Sequence, residues 1–375
     1  MQVMRLGALW GAASVALMLV ACSSSPKPKM AEMPANPGTV SLRSVWSATL
    51  PAVRFAMQPR VAGTQLALAA SDGSVLVLDA PTGKEVWKAK LASGLSAGPG
   101  FDGQTLAVLT SGNELVALQQ GKELWRQRIT SHSLTPPLVA GQRVFVLGGD
   151  RTVWAFDGLT GRRLWQQPRS GEALVLRQPG LLAAVGDTLV VGISGKLVGL
   201  NPLTGSMRWE TSIASPRGTN DVERLVDLVS PAARVDDVVC ARAFQAAIGC
   251  VNANRGNLVW TKYSSGSLGI TGNEERLFSV DSDGALQAWS RLDGEKLWSV
   301  TWLRGRQSVA PVHANGLVLV VDASGNLHMF SASEGKLLGR VSTDPSGLVS
   351  APIQVGNTLI AVASSGKVFG WALPN

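Results

Sequence analysis

S-D-G-S-V-L-V-L-D-A-P-T-G-K-E-V-W, residues 71–87, decides how the rest of the chain is read. Asp72-Gly73 suits a hairpin turn, because glycine takes positive φ without strain. Val75 to Leu78 is an aliphatic, β-branched run of strand character. Thr82-Gly83 makes a second turn, and Val86-Trp87 opens another strand that ends on a side chain large enough to need a neighbouring sheet for its burial.

The frame then recurs, ending at Trp125, Trp165, Trp209, Trp260 and Trp298, and at Leu338 in place of a tryptophan. A further first half, S-S-G-K-V-F-G-W-A-L at 364–373, stops before its turn and tryptophan. The missing half stands at the other end of the chain as Ser44-Val45-Trp46, 41 residues before Trp87. Seven whole units and one split unit predict an all-β fold, an eight-bladed β-propeller of four-stranded antiparallel blades. The Trp46 strand is expected to complete the C-terminal blade, closing the ring by main-chain pairing so that no sheet is left half-built.

Charged residues are few at 16%, glycines number 41 and 45% of the chain is hydrophobic, a composition able to bury a sizeable core. The net charge of +8 is spread without a Lys/Arg run, which gives a nucleic-acid partner no support. Residues 1–21 read as a secretory signal, with Arg5 as the positive end and Leu6–Val20 as a short apolar stretch. Leu19-Val20-Ala21-Cys22 resembles the lipobox of bacterial lipoproteins, which predicts cleavage before Cys22 and acylation of its thiol and amine. The absence of an acidic residue directly after Cys22 resembles lipoproteins sorted to the outer membrane. Residues 22–40, rich in Ser, Pro, Lys and Ala, are expected to form a flexible tether after that anchor, and 41–375 the propeller.

Cys240 and Cys250 flank the hairpin turn of the fifth unit, expected near Gln245, and fall almost opposite each other on neighbouring strands. Either a cross-strand disulfide or two small buried thiols fits, since a slip of one residue would send them to opposite faces. Unit spacing supplies the other signal. From Trp46 onward the tryptophans are separated by 41, 38, 40, 44, 51 and 38 residues. The excess sits at 170–182, S-G-E-A-L-V-L-R-Q-P-G-L-L, and 214–228, A-S-P-R-G-T-N-D-V-E-R-L-V-D-L. In repeat folds such insertions become loops on one face, often the binding face. Apolar Leu174, Leu176 and Leu225 interleaved with Arg177, Arg224 and Asp227 are the mixture expected of a protein-binding hot spot.

Taken together, lipobox, tether and eight units of the D-x-x-T-G-K-x-x-W type resemble the BamB family of lipoproteins of the bacterial β-barrel assembly machinery. The frame alone is common to many propellers; the more specific match is an L-x-L-R element followed some fifty residues on by R-L-x-D. The resemblance implies a lipid-anchored subunit on the periplasmic face of the outer membrane. It implies that Leu174, Leu176, Arg177, Arg224 and Asp227 bind the periplasmic POTRA region of BamA, with nascent outer-membrane barrels as further candidate partners. Val229 departs from the pattern, which has a second acidic residue there. No catalytic residue, metal ligand or cofactor-binding residue is expected: His132, His313 and His328 are scattered without metal-ligand spacing, and the repeated Asp79 and Asp157 suit turn hydrogen bonding. The alternative is a quinone-dependent dehydrogenase of the same repeat type. Such enzymes are much longer and often carry adjacent cysteines, which this chain lacks. A channel that binds glycan or peptide is a third reading, though the inner strands show no ring of aromatics.

Overall fold

A computed structural model of the chain describes residues 30–170, 174–306 and 308–374. The signal stretch and Cys22 lie outside the described residues. Among the described residues, thirty-two strands form eight four-stranded antiparallel sheets. Seven are consecutive along the chain: blade 1 spans 60–90, blade 2 100–128, blade 3 138–167, blade 4 182–212, blade 5 228–263, blade 6 271–300 and blade 7 312–342. Blade 8 takes its inner three strands from 353–372 and its outer strand, Arg43–Thr49, from the N-terminal side. That strand pairs antiparallel with Lys367–Ala372, Ser47 opposite Phe369, so the ring closes across the termini as the split repeat requires.

The middle two strands of each blade are buried along most of their length, Gln65–Ala69 and Ser74–Asp79 being typical. Such near-continuous apolar runs arise because every blade is covered by a neighbour on both faces. The outer strands alternate between exposed and half-buried positions. Their tryptophans lie across the next blade's third turn. Trp46, Trp125, Trp165, Trp209, Trp260 and Trp298 donate their indole N–H groups to Ala80, Gly158, Pro202, Ala253, Arg291 and Ala332 carbonyls at 2.8–3.2 Å. The turn glycine below must be glycine: at Gly205, φ is +73° and a Cβ would stand 2.6 Å from the Trp165 ring. Among the described residues Trp87 makes no such bond. The turn it faces, Gln119 to Lys122, is two residues shorter than the 79–84 turn of blade 1.

Cys240 and Cys250 are register partners on adjacent strands, fully buried, and joined as a disulfide. Residues 31–40, expected to be free tether, instead run along blade 7 and the link that precedes it. Ala31 N–H donates to Arg304 O at 3.2 Å, Arg306 Nη2 to Ala31 O at 3.0 Å, Arg340 Nη2 to Pro34 O at 3.0 Å and Val40 N–H to Leu338 O at 2.9 Å. Polar composition predicts a free chain only where no neighbour offers donors, and the open edge of blade 7 offers them. A buried pair anchors this strap from below. His328, with no exposed surface, contacts Asp322 through Nε2 at 2.9 Å and accepts from Arg340 Nε through Nδ1 at 3.2 Å.

Candidate functional site

In an antiparallel four-stranded blade, the turn between second and third strands and the link to the next blade lie at the same end. The long inserts, 168–181 between blades 3 and 4 and 213–227 between blades 4 and 5, are both such links, so they share one face of the ring. They also touch. Leu176 N–H donates to Asp227 Oδ2 at 3.0 Å, and Asp227 Oδ1 lies 3.6 Å from Arg151 Nη2. The same Arg151 nitrogen donates to Leu174 O at 2.9 Å. Asp227's own carbonyl accepts from Phe244 N–H at 3.0 Å, in the turn of blade 5. One carboxylate and one guanidinium thus tie three blades' loops into a unit.

The second insert carries its own support. Asn220 Oδ1 accepts from Val222 and Glu223 N–H groups at 3.1 and 3.0 Å, capping a short turn. Glu223 reaches back to Thr219 N–H at 2.8 Å, and this bond, the largest influence on its charge, holds the carboxyl below its usual range. Arg224 sits in that turn, half-buried, and Val226 packs over Gly195 of blade 4.

Between the inserts lies a cavity of about 350 Å³, walled by Leu134, Leu147, Leu176, Ile193, Leu228 and Val229 with His132, Arg151 and Arg177 among its polar groups. Leu174 and Val175 stand at its edge, 41% and 40% exposed, and Arg177 is exposed without a hydrogen bond or ion pair among the described residues. Leu176 is half-buried. Leu174, Leu176, Arg177 and Asp227 are therefore neighbours. Their surroundings divide them, with Leu174 and Arg177 facing outward and Asp227 engaged within the chain. Val229, where the family pattern has a carboxylate, is 1% exposed and makes that part of the wall apolar. Arg151 escaped the reading of the sequence, although a signal was there. It occupies the turn position held by Gly73 in blade 1 and takes a φ of 63°, an unfavourable choice for a side chain unless its reach is needed.

Of the other singled-out residues, His132 lines this cavity and the rest lie apart. His132 contacts Asn113 Oδ1 at 3.1 Å, His313 of blade 7 stacks on Phe278 of blade 6 at 5.7 Å, and His328 is the buried partner of Asp322. Asp157 accepts from Thr160 N–H at 2.8 Å and its hydroxyl at 2.8 Å, a turn role that lowers its pKa.

The model of the family described as outer membrane protein assembly factor BamB matches residues 71–300 and 290–372. Curated relatives bearing that name include one from Bordetella pertussis, 32% identical over 97% of both chains, and one from Burkholderia pseudomallei, 31% identical over 96% of both. Among solved structures, BamB from Moraxella catarrhalis superposes with a TM-score of 0.81 at 23% identity, covering 89% of this chain and all of that one. A quinohemoprotein alcohol dehydrogenase from Comamonas testosteroni reaches a TM-score of 0.69 at 14% identity, over 91% of this chain and 78% of that one, a likeness of fold alone. With near-full-length relatives of one name and quinoproteins only as distant neighbours in fold, the chain belongs to the BamB family of outer membrane protein assembly factors and is not an enzyme.

Proposed function

We propose that the chain is a lipoprotein subunit of the β-barrel assembly machinery, and that it docks the periplasmic POTRA region of BamA on the face built by the two inserts. The observation that carries this reading is the Asp227 clasp. It joins segments 51 residues apart and holds Leu174, Val175 and Arg177 outward over an apolar cavity. A surface ordered before binding loses little entropy on association, and exposed aliphatic groups beside an unpaired arginine supply both burial and a directional charge. Leu174, Leu176 and Arg177 are assigned to direct contact. Asp227 acts mainly by positioning them, and Arg224 by the turn it occupies. A lipid anchor on Cys22 would hold the propeller at the periplasmic face of the outer membrane.

The test is binding of the full chain to the periplasmic region of BamA from the same organism, measured by surface plasmon resonance. Arg177→Glu and Leu174→Glu are each expected to weaken binding at least tenfold with circular dichroism unchanged. Wild-type protein that is folded and does not bind would overturn the proposal. Mass spectrometry of the mature protein tests the anchor: an acylated N-terminal Cys22 is expected, and an unmodified chain that retains residues 1–21 would refute it.

A further inference from the structure

We propose that the central channel of the propeller binds a small organic anion, a carboxylate on an apolar body, with Arg60 as its counter-charge. The first observation is one of charge. The eight strands that line the channel, Arg60–Ala62, Gly100–Phe101, Leu138–Ala140, Leu182–Val185, Leu228–Val235, Thr271–Gly272, Val312–Ala314 and Ile353–Val355, contain no Asp or Glu. A cavity of about 570 Å³ opens among blades 1, 5, 6, 7 and 8, and its wall is likewise free of carboxylates among the described residues.

Arg60 stands in that wall, half-buried at the lumen, and its guanidinium makes no hydrogen bond or ion pair with any described residue. Other enclosed arginines are provided for. Arg242 donates to Val280 O at 2.6 Å and Ser264 Oγ at 3.0 Å, and Arg291 donates to Val238 O at 3.0 Å and Asn273 O at 3.2 Å. Enclosure pushes the Arg60 pKa below the usual arginine value, the sign of a charge held away from bulk water. A guanidinium kept in such a place without an acceptor is a standing offer to an anion, because its fork matches a carboxylate in two parallel hydrogen bonds.

The rest of the wall sets the class of ligand. Leu268, Ile270, Val312 and Ile353 offer aliphatic surface, and Gln58 offers an amide that both donates and accepts, whereas the Gln354 Nε2 already donates to Asn315 Oδ1 and Gly356 O. One cation among apolar walls suits a single carboxylate with a hydrocarbon body; a phosphate or a polyanion would call for several cations. Gln178 and Pro179 line both this cavity and the one between the inserts, so the occupant reaches the stem of the loop bearing Leu174 to Arg177.

Isothermal titration of the full chain with benzoate, benzamide and inorganic phosphate tests the assignment. Benzoate is expected to bind wild type at one site, with benzamide and phosphate each at least tenfold weaker. Arg60→Gln should lose at least tenfold in benzoate affinity at an unchanged melting temperature. In wild-type protein, the Arg60 Nε–H resonance should shift on adding benzoate and stay in place with benzamide, a readout that does not depend on the variant folding. No benzoate binding to wild type at millimolar concentration, equal binding by a folded Arg60→Gln, or phosphate binding as tightly as benzoate would each overturn the proposal. None of these outcomes depends on BamA.

Discussion

The rim of the propeller and the face carrying the two inserts solve the same physical problem in different ways. At the rim, each joining tryptophan except Trp87 buries its ring on the following blade and satisfies its one polar atom on that blade's turn carbonyl, as Trp165 does on Pro202 at 3.0 Å. The solution is copied with the repeat, so six of the eight joints resemble one another. At the inserts, a single carboxylate meets an N–H 51 residues earlier and a guanidinium from a third blade. Nothing in the repeat supplies that joint. The contrast teaches that the periodic part of this chain holds the ring together and the aperiodic part shapes one patch of its surface.

The sharpest way to break the contrast is at the rim. Trp165→Ala removes a ring that is 8% exposed and packed against Phe145, and is expected to cost roughly 3–5 kcal/mol in urea denaturation. A variant of unchanged stability that loses only partner binding would show that the tryptophans are not what joins the blades. Asp227→Ala should cost less, about 1–3 kcal/mol, by leaving the Leu176 N–H without its acceptor and removing the carboxylate beside the Arg151 guanidinium. Its distinctive mark should be local: faster amide exchange at Leu176, with blades 1 and 8 unaffected. Uniform acceleration around the ring would erase the distinction between frame and patch.

A smaller, pH-dependent effect is expected at the strap. Burial opposes the charge of Asp322, but the His328 imidazole and the Asn326 N–H outweigh it and hold the carboxyl below the ordinary aspartate value of 3.8. A depressed folded pKa means that this stabilisation is complete above about pH 4 and is lost as pH falls through the lower folded value. Asp322→Asn should flatten that acid limb in melting curves taken from pH 5 to pH 2.5; an unchanged limb would remove the pair from the strap's anchorage. Smallest of all in stability is Arg177→Glu, expected to move the melting free energy by no more than about 0.5 kcal/mol, since the side chain is exposed and makes no bond within the described chain. A large loss of stability would mean that Arg177 serves the fold and not the partner.

The number of blades, the closure by the Trp46 strand and the facing positions of Cys240 and Cys250 were legible because each depends on local turn chemistry repeated at a fixed period. The inserts were legible as departures from that period, and their residue types as a hot-spot mixture. Glycine at the rim turns was equally readable, since positive φ under a tryptophan leaves no other choice. Only the tertiary structure could decide the rest. Whether Asp227 faces a partner or its own chain depends on Arg151, a residue of a different blade. Whether the segment before Val40 is free depends on the open edge of blade 7, nearly 300 residues further along. Whether Arg60 is paired depends on blades 5 to 8, whose described residues place no carboxylate in the cavity wall beside it. Short-range preferences are written in neighbouring residues, but the satisfaction of a buried charge or an open edge belongs to whichever groups the closed ring brings within reach.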